Sequence, residues 1–395
     1  PTANTHRRLT MTSPHVAISG GGPAGFLLGI LLADLGVRTT VIEKSSVADP
    51  WSTRSYSINL NARGLTALES AGVLEAAKAK GMARHQVVLE SVDGKQKKIP
   101  RSPPHYAFSR PDLVECLESI LKEKPAEHVT IQRGVGVANV EEKEDQIVLK
   151  LEDGSKITCT HVIGADGKWS AVRNSLSDWK DTFAVQSEAA FGIFIKPSKC
   201  SDRWDRDATS VFRSSSPKYY VIAAPLLNDQ FSVTMVCYDQ VKEDHPWLVP
   251  QEDEANIDWE SEYGTETANA DFQTKFAQML QEELPNFYKD IQGSLGSVRV
   301  NRRTSWLKPL VENPSYCSQS GRVALVGDAS HAMTASAGEG CNCALESAVS
   351  LIQPLSKDRP VTVDDLTRAF KAYGAKRPSE VIPIQEKSAA GNRYK

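Results

Sequence analysis

The sequence predicts an α/β chain: a parallel sheet begun by a βαβ unit, interleaved with a β-rich part and followed by a C-terminal helix. Three observations predict it. Residues 15–43 read as strand, glycine-rich turn, apolar helix and strand. Two later segments, around 162–173 and 321–352, each run from a strand through a Gly/Asp turn into a helix. Between these motifs lie β-branched and aromatic runs of strand length.

In the first unit, His15-Val-Ala-Ile-Ser19 is the buried strand, and an apolar helix spans Phe26 to Leu35, stopped at Gly36. The second strand, Thr39–Glu43, ends in an acid. The turn Gly20-Gly-Gly22-Pro23-Ala24-Gly25 places GxGxxG at Gly20, Gly22 and Gly25. Gly20 would permit the tight turn, Gly22 the close approach of a pyrophosphate, and Gly25 the packing of helix on strand. A pyrophosphate would rest on the helix N-terminus, where free N–H groups and the dipole favour negative charge. Glu43 stands where a carboxylate would accept hydrogen bonds from a ribose diol, which disfavours a 2′-phosphate. The unit implies a dinucleotide and leaves open which one.

Bulk properties narrow the rest. The 395 residues are 40% hydrophobic and 24% charged, enough for two packed domains. A net charge of -3 gives no reason to expect nucleic acid. Seven cysteines (116, 159, 200, 237, 317, 341 and 343) are scattered without CxxC or zinc-like spacing, pointing to a reducing compartment and no metal. No window nears the roughly 18 apolar residues of a membrane span. Residues 1–14 lack a secretory h-region, so cytoplasm and organelle both stay open. Glu243–Asp271 is acid-rich and reads as a solvated insertion.

The second motif is Val162-Ile-Gly-Ala-Asp166-Gly-Lys-Trp-Ser-Ala-Val-Arg173, with its helix starting near Ser170. The third, Gly321-Arg-Val-Ala-Leu-Val-Gly-Asp328-Ala-Ser-His331, continues into Gly338-Glu-Gly340-Cys341-Asn342, which opens a helix to about Ile352. His331 reads as a packed or capping histidine.

GxGxxG, Asp166-Gly167 and Gly327-Asp328 together resemble the signatures of class A flavoprotein monooxygenases, the para-hydroxybenzoate hydroxylase-like group. The similarity covers about residues 15 to 385. Arg54–Gly64 and Ser109-Arg110-Pro-Asp-Leu113 resemble most the kynurenine 3-monooxygenase branch. The resemblance implies a Rossmann-type, glutathione-reductase-like FAD-binding domain from residues 15–80, 110–180 and 309–355. A mixed-sheet substrate domain would take 81–109 and 181–308, and a helical segment 356–395. It implies non-covalent FAD and transient NADPH or NADH. Asp328 would bond the ribityl chain, and Gly338, Gly340, Cys341 and Asn342 would face the flavin N1/C2=O edge, where a helix N-terminus stabilises reduced flavin. Arg54 and Arg110 would reach the phosphates and ribityl chain, Asp166 and Arg173 would support the pyrophosphate, and Val135 would join the same surface.

The β-rich part reads as a hairpin (His85–Ser91, Lys97–Ile99) followed by strands at Ala189–Ile195, Val211–Arg213, Tyr219–Ala224, Phe231–Tyr238 and Val298–Trp306. One face of such a sheet packs while the other roofs a pocket. Kynurenine 3-monooxygenases grip a carboxylate with an arginine and a tyrosine from this hairpin. Aligned on Ile99-Pro100, the arginine position falls on His85, or on Arg84 with a one-residue slip, and Arg101 takes the tyrosine's place. Arg84 and Arg101 could form a cationic site for an acidic aromatic molecule. Ala335-Ser336-Ala337 replaces bulkier family residues and would widen the pocket. After Thr362 a helix with Leu366, Ala369, Phe370 and Tyr373 on one face is expected, then polar residues.

The implied reaction is hydroxylation of a small aromatic substrate with NAD(P)H and O₂ through a flavin C4a-hydroperoxide. A flavin epoxidase or reductase acting on an isoprenoid is the first alternative, and a non-catalytic FAD-binding regulatory module the second. Turnover with aromatic acids or isoprenoids separates the three.

Overall fold

The computed structural model describes residues 13–46, 57–195, 201–215, 218–248, 270–334 and 337–390. The chain opens with β1 (His15–Ser19), α1 (Pro23–Asp34) and β2 (Arg38–Glu43). The helix starts three residues earlier than the apolar run suggests. Gly22, in extended conformation, is its N-cap, and Pro23 occupies the first turn, where a missing N–H costs nothing. Nearly every α1 residue is buried, because α4 and α9 pack on it as well as the sheet. β3 (Ile58–Leu60), α2 (Ala62–Ser70) and α3 (Leu74–Lys78) follow.

The hairpin of β4 (Met82–Glu90) and β5 (Gln96–Phe108) is longer than its hydrophobic pattern indicates. Its register shifts between Arg84 and Gln86, a detail that decides which side chain faces inward. Next come α4 (Arg110–Lys122) and β6 (Val129–Arg133), then β7 (Val137–Glu142), β8 (Ile147–Leu151) and β9 (Lys156–Cys159). The second motif supplies β10 (His161–Gly164) and α5 (Ala171–Ser175), capped by Ser170, whose Oγ accepts from the Arg173 N–H.

β11 (Phe183–Ile195), β12 (Ala208–Arg213), β13 (Tyr219–Pro225) and β14 (Phe231–Tyr238) precede α6 (Ala270–Glu283) and α7 (Pro285–Ile291). Most of the acidic stretch lies outside the described residues. β15 (Arg299–Pro309), β16 (Val323–Leu325), α8 (Asp328–His331), α9 (Gly340–Ile352) and α10 (Val363–Ala390) complete the chain.

The strands form three sheets. The first is parallel throughout, ordered β16-β10-β1-β2-β6, and β16, β10 and β1 are buried along their whole length. The second has eight strands, β15-β11-β14-β13-β12-β4-β5-β3, antiparallel except where β12 meets β4. The third is a small antiparallel sheet, β7-β8-β9. In the eight-stranded sheet the two faces differ. Ser210, Phe212, Val221 and Met235 are buried under Trp204, α6 and α7, whereas Thr209, Val211, Ile222 and Val236 alternate with them and stay half-exposed. One face is core; the other is half-exposed.

The predicted buried face of α10 is present, with Leu366, Ala369, Phe370 and Tyr373 all buried. The helix then continues to Ala390 instead of yielding to irregular polar chain. Two of its later buried positions are polar and bonded: the Gln385 carboxamide donates to the Leu307 and Ala332 carbonyls, and the Ser388 hydroxyl to the Thr334 carbonyl.

Candidate active site

The glycines of the first turn behave as the motif requires. Gly20 has φ +106, and a Cβ there would stand 2.3 Å from the Ala165 carbonyl oxygen. A Cβ on Gly25 would stand 2.0 Å from the Gly20 oxygen, so helix and turn touch backbone to backbone. A Cβ on Gly22 would meet nothing within 4 Å, leaving that backbone open to a ligand. Pro23 and Ala24 begin α1 beside it.

Glu43, at the end of β2, accepts the Gly21 N–H at 2.6 Å and the Ser45 N–H at 2.9 Å. The Gly134 N–H donates to the Glu43 carbonyl, which brings the loop containing Val135 to the same edge. The Val135 side chain is buried in the core, so its backbone is what faces outward.

Asp166 closes the other side of the turn. Its Oδ2 accepts from Val172 N–H at 3.1 Å and Ser19 hydroxyl at 3.3 Å, while buried Oδ1 has no partner. Burial raises its carboxyl's pKa, against the opposing pull of those donors. Arg173 makes no helix-end ion pair among the described residues. Its guanidinium donates to the carbonyls of Lys168 and Ala329, both at 2.7 Å, and so straps the second motif to the third.

Gly327, at φ +64, turns β16 into α8, whose first residue is Asp328. Protein crowds Asp328 closely enough that burial raises its pKa, yet the side chain is open to solvent. Arg110 and Lys168 act against that rise, so both cations stand nearby. Arg110 is the first residue of α4, held there by Ser109, which accepts the Asp112 N–H and donates to its carboxylate at 2.6 Å. Cys341 shares the recess; burial pushes its thiol up to about 12, with Arg110 pulling the other way. Cys343, two residues on, is buried and receives a hydrogen bond from Arg63 at 2.8 Å. The CxC thiols thus face different surroundings.

Asn342 fastens the loop that opens α9. Its Nδ2 donates to the Gly338 carbonyl at 3.0 Å and the Asn59 carbonyl at 2.9 Å, and its Oδ1 accepts the Asn61 N–H. Glu339 is held by Asn61 Nδ2, and Gly340 begins the helix. His331 is packed as expected: buried, its Nε2 at 2.9 Å from Ser347 Oγ, its pKa lowered to about 3 by burial.

The hairpin resolves the one-residue ambiguity. His85 points out to solvent and pairs with Asp207, whereas Arg84 is buried. Arg84 donates to Thr209 Oγ1 and Asn59 Oδ1, and its Nε has no partner. Burial and then Arg101 lower it to about 10, and no carboxylate among the described residues pairs with it. Arg101 is exposed, 3.5 Å from His105, whose pKa falls to about 4 through burial and the two arginines. Arg54 and the pair Ala335-Ser336 lie outside the described residues, and Ala337 is exposed. A separate cavity of about 260 Å³ lies on the core face, between Glu90 and Trp204. The Arg203 beside it is engaged with Glu90 and Asp290.

Lys168, Asn59 and Asn61 are additional site residues. All three sit inside motifs already quoted, but their partners come from distant strands and helices, so type and spacing gave no cue. Among the described residues no cluster of three His, Cys, Asp or Glu has metal-site geometry, and no helix is long and apolar enough to cross a membrane.

The sequence profile of the FAD binding domain family matches residues 13–284 and 281–360, and the chain belongs to that family. It binds FAD and is a flavin-dependent monooxygenase. It is 28% identical over 394 residues to kynurenine 3-monooxygenase of Stenotrophomonas maltophilia, covering 95% of this chain and 78% of that one. It is 26% identical to 3-amino-4-hydroxybenzoate 2-monooxygenase of Streptomyces cremeus, covering 93% and 84%. The fold matches that of Klebsiella pneumoniae HpxO complexed with FAD and uric acid, with a TM-score of 0.71 at 18% identity over 98% of this chain and 90% of that one. The fold of 2-methyl-3-hydroxypyridine-5-carboxylic acid oxygenase matches at TM-score 0.70 and 19% identity, covering 97% and 91%.

Proposed function

We propose that the chain hydroxylates a small aromatic acid, with NADPH or NADH as reductant and O₂ as oxidant. The observation that carries this reading is Arg84: a buried cation with no counter-ion among the described residues, beside the half-exposed sheet face and one residue removed from the flavin-edge loop. Such a charge is costly to bury alone, and the arrangement makes sense if an anionic ligand completes it. An isoprenoid would leave Arg84 unanswered.

Bound FAD supplies electron uptake from the nicotinamide and activation of O₂. The chain's residues bind and orient it. Gly20–Gly25 and the start of α1 offer N–H groups and an open backbone to the pyrophosphate. Glu43 would accept from the adenosine ribose, with the Val135 loop alongside. Asp328 would accept from the ribityl hydroxyls, Arg110 would neutralise phosphate, and Asp166 anchors the turn beneath. The N-terminal end of α9, with Gly338, Gly340, Cys341 and Asn342, would place partial positive charge at the flavin N1/C2=O edge. Arg84 and Arg101 draw the substrate's carboxylate to one end of that sheet face, and Val211, Ile222 and Val236 hold its ring away from water.

The test is stopped-flow reduction of the purified yellow protein by NADPH and by NADH, with benzoates, their carboxamides and isoprenoid alcohols. An aromatic acid should accelerate flavin reduction and leave as a hydroxylated product. A panel in which no acid does either would overturn the proposal.

A further inference from the structure

We propose that Asn59 is a positioning and specificity-determining residue: it aims Arg84 without neutralising it and ties that arginine to the loop Gly338–Asn342. The inference rests on the reading of Arg84 just given. Asn59 is the middle residue of β3, a strand of three residues held at the sheet edge by β5. Its two ends serve two partners. The side-chain Oδ1 accepts from Arg84, and the backbone carbonyl accepts from Asn342 Nδ2 at 2.9 Å. Asn342 in turn holds Gly338 through its carbonyl and Asn61 through its N–H. Gly338 has φ +65, and a Cβ there would lie 3.7 Å from Asn59 Nδ2. One residue therefore bridges the arginine of the pocket wall and the loop at the flavin edge.

The amide is the informative choice of side chain. A carboxamide oxygen satisfies a guanidinium N–H yet carries no charge, so Arg84 keeps its full positive charge for a ligand. An aspartate of the same shape would form an internal ion pair and supply the anion that the substrate otherwise brings. Anion selectivity thus depends on Asn59 as much as on Arg84. Because β3 also carries the Asn342 bond, an anion drawing on the guanidinium changes the load on the loop that opens α9.

The experiment titrates the FAD-loaded protein with 3-amino-4-hydroxybenzoate and with its carboxamide, reading the flavin difference spectrum. Four proteins are compared: the parent, Asn59→Asp, Asn59→Ala and Arg84→Met. In the parent the carboxylate should bind at least about tenfold more tightly than the amide, as one charge-assisted hydrogen bond implies. In Asn59→Asp that preference should vanish while bound FAD is retained. In Asn59→Ala the preference should persist, with carboxylate affinity lowered by about fivefold and a smaller spectral change, because Arg84 is charged but no longer aimed. Parent-like selectivity and spectrum in Asn59→Asp overturn the inference. If Asn59→Asp does not hold FAD, Asn59→Ala decides, and parent affinity and spectrum there overturn it equally. Parent-like selectivity in Arg84→Met, by contrast, refutes the reading of Arg84 itself.

Discussion

Gly25 is the tightest point of the cofactor turn. Adding one methyl puts carbon 2.0 Å from the Gly20 oxygen, a distance that backbone must move to relieve. Gly25→Ala should therefore lower the flavin-to-protein absorbance ratio after purification and destabilise the apoprotein by roughly 1–3 kcal/mol in urea. Residues of this kind were legible because the chemistry dictates both type and spacing: a turn that admits a pyrophosphate needs glycine at Gly20 and Gly25. Asp166, Arg173 and Asp328 were picked out by the family resemblance. The carbonyls that Arg173 holds, and Asn59 altogether, were not legible, since those partners are contributed by other parts of the chain. Arg84 and His85 could not be told apart on paper either. The register shift after Arg84 turns one inward and leaves the other in solvent, and no residue type marks that shift.

Among the elements, α10 departs most from its sequence pattern. Pro378 and Pro383 lie inside it, residues that usually argue for a helix end, and two of its last buried side chains, Gln385 and Ser388, are polar. What keeps it going is hydrogen bonding to the chain that leads toward the pocket. Gln385 is 1% exposed and one nitrogen serves two carbonyls, on Leu307 and Ala332. Gln385→Leu fits the volume but strands both acceptors, so a loss of about 1–3 kcal/mol is expected, read as a lower urea midpoint. An unchanged midpoint would mean that water takes over both bonds. Most strands of the eight-stranded sheet were legible because they alternate or are β-branched, whereas β3 and most of β5 were not. The small sheet β7-β8-β9 was missed: Val137–Glu142 and Lys156–Cys159 are too polar to stand out as strands, and their pairing partners hold them there.

For the whole molecule, three histidines buried among the described residues weaken the fold in acid. His15, His161 and His331 are all held neutral, at about 4, 3 and 3, with burial the largest cause in each. The unfolded chain binds protons at these sites near the ordinary value of 6.5, while the folded chain declines them. Their contribution is intact above that pH and is lost as pH falls toward the folded values. Between pH 6.5 and 5 the loss should reach roughly 2 kcal/mol per histidine. Urea unfolding at the two pH values measures it, and His161→Gln should flatten the slope by one histidine's share. The discontinuous cofactor recess has its own consequence, for biosynthesis. Its walls come from the turn after β1, the end of β2, the start of α4, the loop after β10, and α8 with α9, in that order along the chain. A ribosome has to release more than three hundred residues before the last wall exists. Until then α1, apolar on every side, has no α9 to cover it. The recess is complete only once α9 has formed, so its walls exist together only late in synthesis.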